Sequence, residues 1–376
     1  MLMPNVGGRL MHCGVLTLAL AVSAVDSQVG REGGGTFSWG HATPAEMGMD
    51  AASLRQARDY AMFDRADPHQ GGSGFITRRG KLVLAWGSPA QLYQVKSASK
   101  AIGVTALGVA MQDGRMSLTD RAKGFHPRLG LPPGANAAAG WLDKMTILQL
   151  ATQTAGFDRG HGFEKLLFEP GTSWAYTDGG PNWLAECITL EYREDVKALL
   201  FERVFTPLGI TEADLTWRDS YYRPDLIEGI KRREFGSGIR ANMDALARIG
   251  YLYLLGGEWQ GRQILPKAFV EAVQRTPPSV KGLPLYREGS PGASNHYGLF
   301  WWNNNDGAMP GVPRDAFWAW GGMQGRDTET LIVVIPSLEI VVARSGTGWG
   351  DGSIDYKFLT PFIAPIAGSV ATPPRS

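Results

Sequence analysis

The spacing of apolar residues changes along the chain, and each change marks an element. Residues 74–87, GFITRRGKLVLAWG, are two β-branched and apolar runs on either side of Arg79-Gly80, which predicts a hairpin. The next apolar run differs in kind. In VKSASKAIGVTALGVAMQDG (95–114), Ile102, Val104, Ala106, Leu107, Val109, Ala110 and Met111 leave almost no polar face, which predicts a helix buried on all sides. Gly103 and Gly108 each cost about 1 kcal/mol against Ala inside a helix, so close packing is expected at both. From about 116 to 284 helical patterns alternate with Pro- and Gly-rich connectors, as in MTILQLATQTAG (145–156) and MDALARIGYLYLLGG (243–257). Strand character returns in YGLFWW (297–302), AFWAWGG (316–322), TETLIVVI (328–335) and LEIVVARSG (338–346). Pro336-Ser337 connects the last two tightly, and a helix containing Ile354, Tyr356, Phe358 and Leu359 is expected to follow.

Strands at both ends with helices between them predict an α/β chain of the α+β type. Segments 37–115 and 285–370 form one antiparallel sheet flanked by helices, and 116–284 is inserted as a mostly helical lobe. A cleft between two such parts is a usual place for a site. The N-terminus stands apart: Arg9 precedes the apolar run LMHCGVLTLALAVSA, which ends Val22-Ser23-Ala24. That is the pattern of a secretory signal over 1–24, with 25–36 as a flexible leader and 371–376 as a tail. The run is short of the ~20 apolar residues of a membrane span, although an uncleaved anchor is the alternative. A secreted or periplasmic protein is expected, with no further membrane contact. Cys13 would leave with the signal, so Cys187 could form no internal disulfide. In NWLAECITL it reads as a small buried hydrophobe.

Of 376 residues, 44% are hydrophobic and 19% charged, and the net charge is +1. The chain therefore has material for a large core, and without a Lys/Arg block it lacks the footprint of a nucleic-acid binder. No phosphate loop, dinucleotide fingerprint or Gly-x-Ser-x-Gly elbow is present. The histidines His12, His41, His69, His126, His161 and His296 are scattered without metal-ligand spacing. Metal, cofactor and Ser-His-Asp chemistry are accordingly not expected.

Ser97 and Lys100 stand one turn apart at the start of the buried helix, where residues three apart share a face. Two readings fit. In one, Ser97 caps the helix and Lys100 snorkels to solvent. In the other, burial lowers the lysine pKa toward neutrality, and Lys100 becomes a base for the Ser97 hydroxyl.

Further motifs follow in order: LATQTAG (150–156), FEPGTSWAYTDGG (168–180), GIRANMDALARIGYLYLLGGEWQGRQILP (238–266), and Trp320-Gly321-Gly322 before two final strands. Their order over residues 37–365 resembles the serine β-lactamase-like superfamily, in particular the class C-like family VIII carboxylesterases. The resemblance implies that Ser97 is an acylating nucleophile, Lys100 its base partner, and Tyr176 the tyrosine of a Tyr-x-Asn motif relaying protons to the leaving group. It implies an oxyanion hole of the backbone N–H groups of Ser97 and Met323. Trp320, Gly321 and Gly322 stand where β-lactamases carry Lys-Thr-Gly.

The departures carry information too. Asp178 replaces the expected Asn, so a group able to donate becomes a carboxylate that, ionised, only accepts. Near Lys100 it would hold the ammonium charged, opposing burial, and make the Tyr176 phenolate the working base. Trp320 and Gly321 remove the cation and hydroxyl that grip a β-lactam carboxylate. Together with Trp301, Trp302 and Trp318, of which one or two are expected to line the cleft, they favour neutral or apolar esters, with Asp178, Trp320, Gly321 and Gly322 as substrate-binding positions. The expected protein is a serine hydrolase acting on a small-molecule ester or amide, first of all a carboxylesterase. A weak β-lactamase or D-aminoacyl peptidase is the alternative, and a catalytically inactive binding protein on the same scaffold is another. Oligomeric state is open. The mature chain should begin near Val25 and run as a soluble species, which N-terminal mass spectrometry after fractionation checks; an intact Met1 on a membrane-bound form is the opposite result.

Overall fold

The computed structural model describes residues 37–62, 72–287, 292–322, 328–347 and 355–370. The expected signal, leader and tail, Met323 and Ile354 lie outside them. Strands β1 (Gly40–His41), β2 (Ser73–Arg78) and β3 (Lys81–Trp86) join β7 (Trp302–Asn303), β8 (Phe317–Gly321), β9 (Thr328–Ile335) and β10 (Ile340–Thr347). They form a seven-stranded sheet in the order β1-β3-β2-β10-β9-β8-β7. Every pairing is antiparallel except β1 with β3. The first and last parts of the chain meet where β10 pairs with β2, with Ile340 opposite Arg78 and Ser345 opposite Ser73. A smaller sheet joins β4 (Tyr93–Gln94), β5 (Leu215–Trp217) and β6 (Ile239–Ala241), with β6 in the middle.

Alternation along β10 decides which helix covers which face. Successive side chains of a strand point to opposite sides. Arg344 points to helix α1 (Ala51–Met62), where it donates to the Ala61 carbonyl at 2.8 Å. Val341 meets the other layer. The segment after Ser97 there forms α2 (Ala98–Gly103) and α3 (Thr105–Gln112). α4 (Ile147–Ala151) and α5 (Gly179–Tyr192) follow, then α6 (Met243–Leu254) and, at the end of the chain, α7 (Thr360–Gly368), which packs on α1. Residues 98–110 are all buried, as their pattern requires, and both glycines are close contacts. A Cβ at Gly103 would stand 2.5 Å from the Phe235 ring and one at Gly108 2.6 Å from Phe269. Cys187 is fully buried within α5.

Two expectations are corrected. YGLFWW is not a continuous strand: Phe300 has a left-handed φ of 60°, Tyr297 pairs back on Trp302, and only Trp302–Asn303 joins the sheet. The stretch reads as a strand because its aromatic residues are buried, but they are buried in a reversal. The second correction is to the lobe. α6 falls within 116–284, yet it packs against β2, β9 and β10. Gly250 permits this, since a Cβ there would lie 2.7 Å from Val341 and 2.8 Å from Ile332. Gly250→Val should therefore overpack the helix–sheet contact and lower stability by about 2 kcal/mol, read as a lower denaturant midpoint with an unchanged slope.

Candidate active site

The chain reaches Ser97 through a turn that few residues adopt. Lys96 has φ 51°, in the left-handed region that non-glycine residues seldom occupy. This reversal after β4 sets Ser97 at the start of α2. Ser97 makes no side-chain cap there. Its Oγ instead accepts a hydrogen bond from Lys100 Nζ at 3.1 Å, which rules out the capping reading of the tetrapeptide. Lys100 is fully buried, so it does not snorkel.

An ammonium has three protons to place, and Lys100 finds three acceptors: Ser97 Oγ, the Gly236 carbonyl at 3.2 Å, and Asp178 Oδ1 in an ion pair. Burial alone would depress the lysine pKa. The Asp178 charge, and after it Tyr176, outweigh burial and hold Lys100 above its usual range. Burial likewise works to raise the Asp178 carboxyl, but the Lys100 charge and the His161 hydrogen bond push it down to about 2. The expectation of a lysine lowered toward neutrality is thereby corrected. A buried cation beside a buried anion keeps its proton, and the opposing effect of Asp178 is the one that wins.

Tyr176 comes to the same place. Its ring lies 4.9 Å from Lys100 Nζ and stacks on Trp302 at 6.0 Å. Gln153 fixes the backbone around it: its carbonyl accepts from Ala175 N, its Oε1 accepts from Thr177 N, and its Nε2 donates to the Thr177 carbonyl, all within 3.1 Å. Gly321 completes the enclosure from β8. A Cβ there would stand 2.2 Å from the Val95 carbonyl oxygen and 2.9 Å from Ser97 N, so the strand backbone lies directly against Ser97. Any side chain at 321 would push it away.

The tryptophans behave otherwise than expected. Trp301, Trp302, Trp318 and Trp320 are each at most 2% exposed, so none offers an open wall. Trp320 turns inward and donates its indole N–H to buried Glu329 at 2.6 Å, while Gly322 has φ 97°. The role of Trp302 is indirect, as backing for Tyr176.

His161 was the residue that spacing failed to flag. It is 17 residues from Asp178 on a loop, yet its Nδ1 meets Asp178 Oδ2 while the side chain stays 53% exposed. The ring stacks on Tyr222 at 4.4 Å. Asn182 donates to the His161 carbonyl and accepts from Gly236 N at 2.9 Å. Since the Gly236 carbonyl accepts a hydrogen bond from Lys100, the contacts close a ring through Lys100, Asp178, His161, Asn182 and Gly236. Of these residues only Asp178 and Asn182 are close neighbours in the chain. Among the described residues no group of three or more His, Cys, Asp or Glu gathers as for a metal ion.

The family model for β-lactamase matches residues 61–355. The chain belongs to the β-lactamase family. It is a serine hydrolase of that family, with the corresponding fold of N- and C-terminal strands in one mostly antiparallel sheet. Among solved structures it is similar to the octameric penicillin-binding protein homologue from Pyrococcus abyssi, with TM-score 0.62, 16% identity and 85% and 78% of the two chains covered. It is also similar to a family VIII carboxylesterase, with TM-score 0.61, 14% identity and 86% and 99% coverage. A D-stereospecific amidohydrolase from Streptomyces sp. gives 0.58, 17%, and 82% and 97%. At such identities these structures speak to the fold alone. No protein of curated function matches the sequence.

The pair of charges has a pH window. Asp178, depressed on folding, stabilises above its ordinary 3.8 and loses this as pH falls toward about 2. Lys100, raised, stabilises below its ordinary 10.5 and loses this as pH rises through its elevated value. Between those limits, Asp178→Ala should lower stability by on the order of 3 kcal/mol by stranding a buried ammonium. Urea unfolding should show most of that loss absent when Asp178→Ala is compared within a Lys100→Met background.

Proposed function

We propose that this family member is a carboxylesterase that works through a Ser97 acyl-enzyme, with Lys100 and Tyr176 moving the protons. The observation that carries the reading is the 3.1 Å hydrogen bond between buried Lys100 and Ser97 Oγ, with the Gly321 backbone pressed on the same residue. Ser97 Oγ attacks the ester carbonyl carbon, and its proton passes to the Lys100–Tyr176 pair. The negative charge on the carbonyl oxygen falls to the Ser97 N–H and, by the family resemblance, to the N–H of Met323. Collapse expels the alcohol, which takes a proton from the pair, and water then releases the acid by the same steps reversed.

The position of a β-lactamase lysine is held here by Trp320, whose ring is committed to Glu329. This supports neutral esters over anionic β-lactams, since a buried indole supplies no cation. The signal-like run at 1–24 supports a site of action outside the cytoplasm. The resting ammonium leaves one requirement: a fully protonated Lys100 with a protonated Tyr176 accepts no further proton, so the pair must enter the reaction one proton short.

A fluorophosphonate should label Ser97, read by peptide mass spectrometry, and Ser97→Ala should lose turnover of p-nitrophenyl butyrate with its thermal midpoint nearly unchanged. Nitrocefin should be the poorer substrate by kcat/KM. Preference for nitrocefin would turn the assignment toward a β-lactamase, and an unlabelled Ser97 would turn it toward a non-catalytic protein.

A further inference from the structure

The geometry points to His161 as a positioning residue that lets the Lys100–Tyr176 pair give up a proton at neutral pH, by sharing the Asp178 carboxylate from its second oxygen. This deepens the esterase reading and rests on it. Asp178 has two oxygens with two claimants. Oδ1 holds Lys100, which is buried, and Oδ2 holds His161, whose ring reaches solvent. A carboxylate in this position without His161 would fix the ammonium and disable the base.

With His161 the same number of protons can be arranged in two ways. In the resting arrangement Lys100 is an ammonium, Tyr176 a phenol, Asp178 a carboxylate and His161 a neutral imidazole. In the other, the Lys100–Tyr176 pair has released one proton to solvent and His161 has taken one from solvent. Asp178 remains a carboxylate in both, and the net charge is the same. The second arrangement can accept the Ser97 proton as the Oγ–carbon bond forms. An imidazolium on Oδ2 replaces the charge that Oδ1 loses when the pair becomes neutral.

The surroundings suit a proton that comes and goes at His161. The hydrogen bond to Asp178 raises the imidazole pKa, against burial and the Lys100 charge, with help from Glu234. Glu234 is paired with Arg218, and it accepts the N–H groups of Tyr221 and Tyr222, setting the Tyr222 ring under the imidazole. Arg218 lies 5.6 Å from that ring. On the histidine's own loop Arg159 precedes it, Glu164 accepts the Gly162 N–H, and Arg223 donates to the Gly162 carbonyl. The ring is thus held by stacking and backbone contacts, leaving Nδ1 to Asp178.

The test follows fluorophosphonate labelling of Ser97 against pH, which needs no knowledge of the natural ester. In the wild type the rate should rise with pH only until the His161 imidazolium titrates, then stay level, because the active arrangement there has the resting proton count. His161→Gln retains an amide donor but cannot take the proton. Its rate should start lower and climb about tenfold per pH unit through neutrality. In an Asp178→Asn background, where Lys100 no longer has a carboxylate to be shared, His161→Gln should change the profile little. NMR titration gives a readout independent of activity: the His161 imidazole pKa should be lower in Asp178→Asn than in the wild type. A level neutral profile in His161→Gln, or an equal effect of His161→Gln with and without Asp178, overturns the inference while leaving Ser97 as the nucleophile. An unlabelled wild-type Ser97 overturns the esterase reading and this inference with it.

Discussion

A buried cation beside a buried anion is the constraint that organises this molecule. Lys100 has no access to water, so its charge must be matched within the protein, and the match dictates where several distant segments lie. Asp178 at the head of α5 must reach Oδ1 to Nζ. Gly236 must present its carbonyl, and it must be glycine, since a Cβ would stand 2.7 Å from the Asp178 carboxyl carbon. Asn182, one turn into α5, ties Gly236 N to the His161 carbonyl. Isolated burial of either charge costs several kcal/mol, and the pair is tolerable only with such satisfied geometry. Stability and the proposed catalysis thus draw on the same contacts.

The same pair creates a chemical difficulty. Lysine as a base needs to be neutral, and a carboxylate in contact with it works against that. An asparagine at 178 would avoid the conflict. Here the conflict is real, because the Lys100 charge and the His161 hydrogen bond hold the Asp178 carboxyl well below its usual range despite burial. In the proposed reaction, proton transfer is therefore a property of the coupled group Lys100, Tyr176, Asp178 and His161, and titrations will report the group, not one residue.

Packing around the site separates what must be rigid from what touches solvent. Tyr176 is gripped on the backbone by Gln153 and on its ring face by Trp302, which itself lies edge-on to Trp320 at 6.1 Å. Of the tryptophans that suggested an aromatic cleft, Trp302 instead backs the tyrosine and Trp320 packs on Trp302, while Trp301 lies on Tyr253 and Phe317 and Trp318 on Tyr356. His161 and Tyr222 reach the surface and Tyr176 is partly exposed, whereas Trp302 and Trp320 are buried.

Much of this was readable along the chain. The hairpin at 74–87, the paired strands after 316 and the helix around 98–112 declare themselves by period, because burial on one face or on all faces leaves a regular imprint on neighbouring residues. Ser97 and Lys100 were legible for the same reason, being one helical turn apart, and Asp178 stood out two residues from Tyr176. Tertiary structure decided the rest. Whether Lys100 is charged depends on the sum of burial and one carboxylate 78 positions away, and no local spacing encodes that sum. His161 looked like one scattered histidine among six until the fold brought its loop to α5. Trp320 read equally well as wall or core, and only the buried Glu329 across the strand pair turned it inward. Sequence by itself determined which apolar runs are buried and which neighbours share an element, since those follow from periodicity. The fold alone determined which charges meet, because electrostatic partners are chosen by distance in space and leave no period in the chain.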